Sequence, residues 1–350
     1  MVFAANWDKM SLTYLSLDIG GANLKASDST GRAESVGFAI YREPDRLADE
    51  IRSLAGRMVT PQCVLVTMTA ELCDCFETRR QGVLKIISDL ETIYNPGILR
   101  IWGVDGLFHS TLTIKNRPAL AEASNWKALG DCLAADYFQK QTGLVIDIGS
   151  TTTDILAVAH GKLLSVSTTD IDRLQSGELV YLGVSRTPLC AVADSVKFRT
   201  TNTPLMRELF ATTGDVYWTL GELPESHEDL STANGRPATR VEARHRLARM
   251  IGLDYERFTE KDASSMATQI DSKIYKTLEK SIRKVAEALP DGVVNQLMVS
   301  GSGSFLAERI GSKIFPRASM FNLETIWGRD QADAACAVAL IKLADAGLKR

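Results

Sequence analysis

Asp147-Ile148-Gly149-Ser150-Thr151-Thr152-Thr153-Asp154 decides how this chain is read, and Asp18-Ile19-Gly20-Gly21-Ala22-Asn23-Leu24-Lys25 is an earlier near-copy of it. Each follows a short apolar run that predicts a buried strand, Tyr14-Leu15-Ser16-Leu17 before the first and Leu144-Val145-Ile146 before the second. A buried strand thus delivers an Asp into a tight turn rich in Gly, hydroxyls and Asn, twice. Gly removes the side chain so that backbone N–H groups can wrap an anion, and Ser and Thr add donors. An Asp repels phosphate, so Asp18 and Asp147 make chemical sense as ligands, direct or through water, of a hard divalent cation such as Mg2+ that accompanies it. Two such loops predict a phosphate or diphosphate clamp. Its binding residues would be Gly20, Gly21, Asn23, Gly149, Ser150, Thr151 and Thr152, with Lys25 or Arg186 as a second cation.

Composition excludes several alternatives. The 350 residues suffice for two domains with substantial cores, and 45% hydrophobic with 24% charged residues is ordinary globular usage. A formal net charge of -3 gives no basic footprint for nucleic acid or a membrane surface. The 6 cysteines fall in no regular framework and no signal peptide is visible, so the expectation is reduced thiols in a cytoplasmic protein. Cys73-Asp74-Cys75 lacks structural zinc spacing. No apolar stretch approaches the roughly 20 residues needed to cross a bilayer. Oligomeric state is left open.

Outward from the first loop, residues 1–13 read as a leader without periodicity, and 14–142 as a first domain. Ala33 to Tyr41 is extended, and Glu43-Pro44-Asp45 starts a helix to about Met58, since Pro near a helix start sacrifices no internal hydrogen bond. Val64 to Thr69 is a buried strand whose polar tip leads to Glu71. A helix from about Thr78 to Leu90, a strand from Ile98 to Val104 and a helix from Trp126 to Phe138 complete an alternating α/β pattern. A second domain, 143–350, repeats the opening of strand, loop and hairpin, with Thr153 to Ala159 and Lys162 to Ser167 as the hairpin strands. That repetition points to duplication. Between about 172 and 262 the pattern turns irregular and polar, which predicts a substrate-facing insertion. Beyond it lie a helix from about Ser264 to Leu289, a strand from Gln296 to Ser300, the turn Gly301-Ser302-Gly303-Ser304, an extended piece at Met320 to Leu323 and a helix from Ala332 to Leu348.

Two Asp-Gly loops, then a Gly-x-Gly turn after a long helix, then a small-residue helix containing Ala332-Asp333-Ala334-Ala335-Cys336-Ala337 form an ordered set. From Tyr14 onward this set resembles the acetate and sugar kinase, heat-shock protein 70 and actin superfamily. Within it, the wording of the second loop is similar to the hydantoinase A and oxoprolinase branch. The resemblance implies two duplicated ribonuclease H-like (actin-like ATPase) domains with an interdomain cleft, the loops as phosphate motifs, and Gly301 and Gly303 in an adenosine motif that makes ATP a possible ligand. Val66-Thr67-Met68-Thr69-Ala70-Glu71-Leu72, Asp215-Val216-Tyr217-Trp218-Thr219-Leu220-Gly221 and Thr232-Ala233-Asn234-Gly235-Arg236-Pro237 look like the subgroup of tetrahydromethanopterin-linked one-carbon transfer pathway proteins, as does Arg246-Leu247-Ala248-Arg249-Met250. Asn234 departs from the Asp expected there.

That resemblance implies a methanofuran-biosynthesis transferase, joining an aminomethylfuran-methyl diphosphate to the phenol of γ-glutamyltyramine or tyramine with loss of diphosphate. Furfuryl carbon–oxygen cleavage needs charge neutralisation on the leaving diphosphate, and the phenol needs a base. Glu71, Asp215, Glu222 and His227 are the base candidates. Glu71 equally suits a helix cap, and His227 sits in a charge run that suits a solvated loop. Two other readings stand beside this one: an ATP-dependent amidohydrolase or small-molecule kinase, and a nucleotide-binding scaffold without turnover.

Overall fold

The computed structural model describes residues 12–165 and 167–348, so most of the expected leader and Val166 of the expected hairpin lie outside the described residues. The chain forms two compact units. One comprises residues up to 139 together with those from 324 onward, and the other is 140–323.

The first unit opens with β1 (Tyr14–Ile19), β2 (Asn23–Asp28) and β3 (Ala33–Gly37), an antiparallel meander. Then follow α1 (Leu47–Ala55), β4 (Cys63–Met68), α2 (Arg79–Ile93), β5 (Leu99–Trp102), β6 (Phe108–His109), α3 (Thr111–Asn116) and α4 (Asn125–Tyr137). The sheet order is β3-β2-β1-β4-β5-β6, with β1, β4 and β5 parallel. Every residue of β1 is buried, as expected for a central strand covered on both faces. Alternation divides its contacts. Leu15, Leu17 and Ile19 join Val64, Val66 and Met68 against Leu47, Ile51 and Leu54 of α1 and Val83, Ile86 and Leu90 of α2. The spacing Leu47, Ile51, Leu54 is the one-sided stripe of an amphipathic helix.

The second unit repeats this plan. Strand β7 (Thr142–Ile148) pairs antiparallel with β8 (Thr153–Ala159), which carries β9 (Lys162–Leu163). Next come α5 (Asp170–Ser176), β10 (Leu179–Val180), α6 (Leu189–Val192), the hairpin of β11 (Ser195–Phe198) and β12 (Thr201–Pro204), α7 (Thr213–Leu220) and α8 (Arg240–Arg249). The long α9 (Glu260–Ala286) starts at a capping box of Thr259 and Asp262 and leads to β13 (Gln296–Ser300), α10 (Ser304–Ile314) and β14 (Ser319–Asn322). The sheet order is β10-β8-β7-β13-β14, with β7, β13 and β14 parallel. The segment 172–262 is largely irregular, with α6, α7 and α8 as its complete helices, and it packs into the domain core. Val184, Leu189, Val196, Val216, Tyr217 and Leu247 belong to one core with Leu144, Ile146 and Ile148 of the central strand.

The chain then continues through α11 (Leu323–Trp327), α12 (Arg329–Asp333) and α13 (Ala335–Leu348). Here the structure departs from the expected division at 142/143. Leu340 and Ile341 pack with Tyr14, Leu65, Trp102 and Ala128, and Ala334, Ala337 and Val338 with Ala33, so residues from 324 on complete the first unit.

Candidate phosphate and metal site

Each loop stands at the carboxyl end of a central parallel strand, where open α/β sheets bind ligands. In the first unit, Asp18 pairs with Lys25 across β1 and β2, and the turn between them is closed by the Gly20 N–H donating to Asn23 O at 3.1 Å. Asp18 is 5% exposed, and its Oδ1 accepts no hydrogen bond. Burial raises its pKa, and the charge of Lys25 opposes that rise. Space at Gly21 is tight: a Cβ there would lie 2.7 Å from Cys73 Sγ, which would have to shift.

In the second unit the Gly149 N–H donates to Thr152 O at 2.8 Å, and two segments brace the loop from outside. Along one, the N–H groups of Val184, Ser185 and Arg186 donate to Gly149 O, Ser150 O and Ser150 O at 3.0, 3.1 and 2.9 Å. A Cβ on Gly183 would sit 2.4 Å from backbone atoms of Ser150 and Thr151. Along the other, Gly303 N–H donates to Ile148 O at 2.8 Å. Gly301, at φ +82, approaches so closely that a Cβ would lie 2.6 Å from Asp147 Oδ1. The structure thus brings together Asp147, Gly149, Ser150, Thr151, Thr152, Arg186, Gly301 and Gly303. Arg186 is exposed beside Ser150.

Three residues of this region escaped the sequence reading. Asp154 stands directly opposite Asp147 in the β7–β8 pair, and buried Arg173 donates to its Oδ1 at 2.8 Å. Burial raises the pKa of Asp154 while Arg173 holds it down. Ser300 lies beside Asp147 on β13. The facing of Asp154 was legible, because a four-residue loop between Ile148 and Thr153 sets the register. Arg173 is 19 residues from its partner, and no local pattern announces it.

The candidate bases fare differently. Glu71 is 1% exposed; its Oε1 accepts from Ala123 N–H at 3.1 Å and pairs with Arg79 Nη2 at 3.2 Å. Asp215 is fully buried, caps α7 through Thr212 N–H at 2.9 Å and binds Arg246 Nε at 2.7 Å. Burial pushes its pKa to about 6 despite Arg246. Both carboxylates are thus enclosed and engaged with partners inside the fold. Glu222 is exposed, 3.7 Å from Arg309 Nη1, and His227 lies exposed in the loop after α7. Asn234 Oδ1 accepts from Arg246 Nη1 at 3.1 Å and from Arg236 N–H at 3.2 Å, so this position serves a guanidinium.

All 6 cysteines are free thiols. Among the described residues, no group of three or more His, Cys, Asp and Glu side chains could hold a metal ion, and no helix is long and apolar enough to cross a membrane. One or two carboxylates suit Mg2+, which keeps waters and completes its shell with substrate phosphates. Within the first unit Asp18 Oδ1, and within the second Ser300 Oγ, is a buried oxygen without a hydrogen-bond partner, each of a kind that suits a hard cation.

Comparison with known proteins adds four findings. A (4-{4-[2-(gamma-L-glutamylamino)ethyl]phenoxymethyl}furan-2-yl)methanamine synthase of Methanocaldococcus jannaschii is 28% identical over 337 residues, 95% of this chain and 98% of that protein. A synthase of the same name from Methanococcus vannielii is 28% identical over 194 residues, 55% of this chain and 85% of that protein. Among solved structures, nucleotide-free acetone carboxylase superposes with a TM-score of 0.52 at 9% identity, over 94% of this chain and 70% of that one, a likeness of fold alone. The hydantoinase/oxoprolinase family model matches residues 62–345. The duplicated α/β architecture, the paired Asp-Gly loops and that match agree: the chain belongs to the hydantoinase/oxoprolinase family.

Proposed function

We propose that the protein is a transferase of methanofuran-type coenzyme biosynthesis, condensing an aminomethylfuran-methyl diphosphate with the phenol of tyramine or γ-glutamyltyramine. The observation that carries this reading is likeness to the Methanocaldococcus jannaschii synthase along 95% of the chain. In the reaction the phenol oxygen forms a bond to the furfuryl methylene carbon, the bond from that carbon to diphosphate oxygen breaks, and diphosphate leaves with the electron pair. The furan ring delocalises positive charge at the methylene, so the protein's main task is to hold the leaving group.

The residues suit that task. The backbone N–H groups of the turn and the hydroxyls of Ser150, Thr151 and Thr152 are donors for diphosphate oxygens, and the Arg186 guanidinium adds charge. Asp18 in the first unit and Asp147 in the second are each a candidate ligand for Mg2+, which when bound would neutralise charge developing on the diphosphate. With Glu71 and Asp215 enclosed, Glu222 is the remaining carboxylate candidate to take the phenolic proton. Gly301 and Gly303 beside Asp147 favour a second reading, an ATP-dependent amidohydrolase or kinase.

Incubation of the protein with the furfuryl diphosphate, tyramine and Mg2+ should yield the ether, seen by mass spectrometry, with one inorganic diphosphate per ether. No ether from folded protein, together with calorimetric binding of Mg-ATP and none of inorganic diphosphate, would replace this reading by the second.

A further inference from the structure

Within the second unit, helices α7 and α10 both start beside the loop at 147–154 and both pack on α9. At the start of α7 the Gly214 N–H donates to Ser185 O at 3.1 Å, and Ser185 in turn braces Ser150. At the start of α10 stands Gly303, which donates to Ile148 O. Along α10, Phe305 comes next to the turn, and Arg309 lies one turn further on the same face, about 9 Å from Gly303 along the axis. The side chains of α7 keep the same order. Tyr217 meets Phe305 edge-on with ring centres 5.2 Å apart, and Glu222, just past the helix end, lies 3.7 Å from Arg309 Nη1. From α9, Asp271 Oδ1 accepts from Arg309 Nη2.

This cluster holds more acceptors than donors. Among the described residues, Arg309 is the one cation in ion-pair range of Glu222 and Asp271. Lys313, a turn farther along α10, lies over the Tyr275 ring at 5.4 Å, and Arg240 donates to Trp218 O. Arg309 satisfies Asp271 Oδ1, but 3.7 Å is too long for a hydrogen bond to Glu222. The Tyr217 side chain is 0% exposed, and its hydroxyl makes no hydrogen bond of good geometry, although buried hydroxyls are ordinarily paired. Burial and then the charge of Asp271 raise the pKa of that hydroxyl, which places it at the cluster. The Glu222 and Arg309 side chains are each 38% exposed, so a ligand can reach the carboxylates from outside while Tyr217 closes the inner end. An ammonium group brings three donors and no acceptor. Asp271 Oδ2, the Glu222 carboxylate and Tyr217 Oη are the acceptors that Arg309 leaves open.

We propose that Glu222, Asp271 and Tyr217 form a subsite for the primary ammonium of the ligand whose diphosphate the second loop holds, with Phe305 against its ring and Arg309 as the positioning residue of the two carboxylates. The inference rests on the reading of that ligand as an aminomethylfuran-methyl diphosphate, and it gives Glu222 a binding role in place of proton transfer. A methylene, a furan ring, a second methylene and the ester oxygen separate this ammonium from phosphorus, a reach of about 8 Å at ordinary bond lengths. That reach is comparable with the rise from Gly303 to Arg309. Phosphate, ring and ammonium thus follow one another in the ligand as Gly303, Phe305 and Arg309 do along the helix.

The test uses the full chain with Mg2+ and two analogues of the furfuryl diphosphate in which a methylene replaces the ester oxygen, so that the bond to be broken cannot break. One analogue keeps the aminomethyl group and the other has a methyl in its place. By calorimetry, wild type should bind the first roughly ten- to hundredfold tighter, the range for hydrogen bonds to a charged group. Asp271→Asn and Glu222→Gln should each cut that preference at least about fivefold, and Tyr217→Phe, which keeps the ring, about two- to fivefold. All three variants should bind inorganic diphosphate within about twofold of wild type, which reads the fold and the loop independently of the ammonium. Equal affinity of wild type for the two analogues would overturn the proposal, as would variants that weaken both analogues alike or that weaken tyramine alone. Preference for the amine without ether formation would sink the assigned reaction and leave the subsite standing, and ether formation without the preference would do the reverse.

Discussion

Asp215 uses both carboxylate oxygens inside the protein, Oδ2 for the Thr212 N–H and Oδ1 for Arg246 Nε. Arg246 in turn donates to Asn234 Oδ1 and lies with its guanidinium carbon 5.8 Å from the Trp218 ring centre. The pair thus ties the start of α7 to α8 and to the loop at 232–237. Asn234 contributes only its oxygen to these contacts, which an Asp would supply equally, so the departure at this position leaves the tie intact. The pKa of Asp215 near 6 lies above its ordinary 3.8, so the folded state holds this proton more tightly than the unfolded chain does. Its contribution to stability is full below about pH 3.8 and is lost as pH rises through about 6, by an amount on the order of 2–3 kcal/mol. In urea titrations, the stability of wild type relative to Asp215→Asn should therefore shrink between pH 4 and pH 7. A difference that is flat or grows with pH would contradict this assignment. Residue types in a promising stretch were legible in the sequence; burial was not, because Asp215 and Glu71 owe it to Arg246 and Ala123, 31 and 52 residues away.

A loop such as 147–154 owes its shape to what presses on it as much as to its own glycines. Gly149 closes the turn, but Gly183 and Gly301 set the approach of the bracing segments. Position 301 was legible because Gly-x-Gly after a strand is a recognisable pattern. Gly183 carried no such signal, since its neighbour in space is backbone 33 positions earlier. A methyl at 183 would meet backbone atoms at 2.4 Å, and backbone cannot swing aside as a flexible side chain would. Gly183→Ala should therefore displace Ser150 and Thr151, costing about 1–3 kcal/mol of stability by overpacking. It should also weaken inorganic diphosphate binding at least tenfold by calorimetry. Gly235→Ala, where nothing lies within 4 Å, is the comparison for a positive-φ glycine remote from the loop, and should leave diphosphate affinity within twofold. Equal effects at both positions would mean that backbone strain in general, and not the brace, governs the site.

At the scale of the whole molecule, duplication was legible because the loops repeat, but the path of the chain was not. The last helix reads as small and apolar on several faces, which says that it is buried without saying where. Only the contacts of Leu340 and Ile341 with Tyr14, Leu65 and Trp102 assign it to the first sheet. The second unit needs nothing from it: every member of its main core lies between Leu144 and Ile310. Its strands from β7 to β14 likewise close within 140–323. A fragment of 140–323 should therefore unfold cooperatively in urea. The division expected from sequence should behave worse. A fragment of 143–350 would carry the apolar face of α13 without the sheet it covers, an exposed patch of the kind that promotes association. Its counterpart 14–142 would leave Tyr14, Leu65 and Trp102 open. Light scattering should show aggregation of 143–350 and of 14–142, and joining 324–348 to 12–139 through a flexible linker should suppress it in the latter. Aggregation of 140–323 alongside a monomeric 143–350 would show that the last helix stabilises the second unit instead.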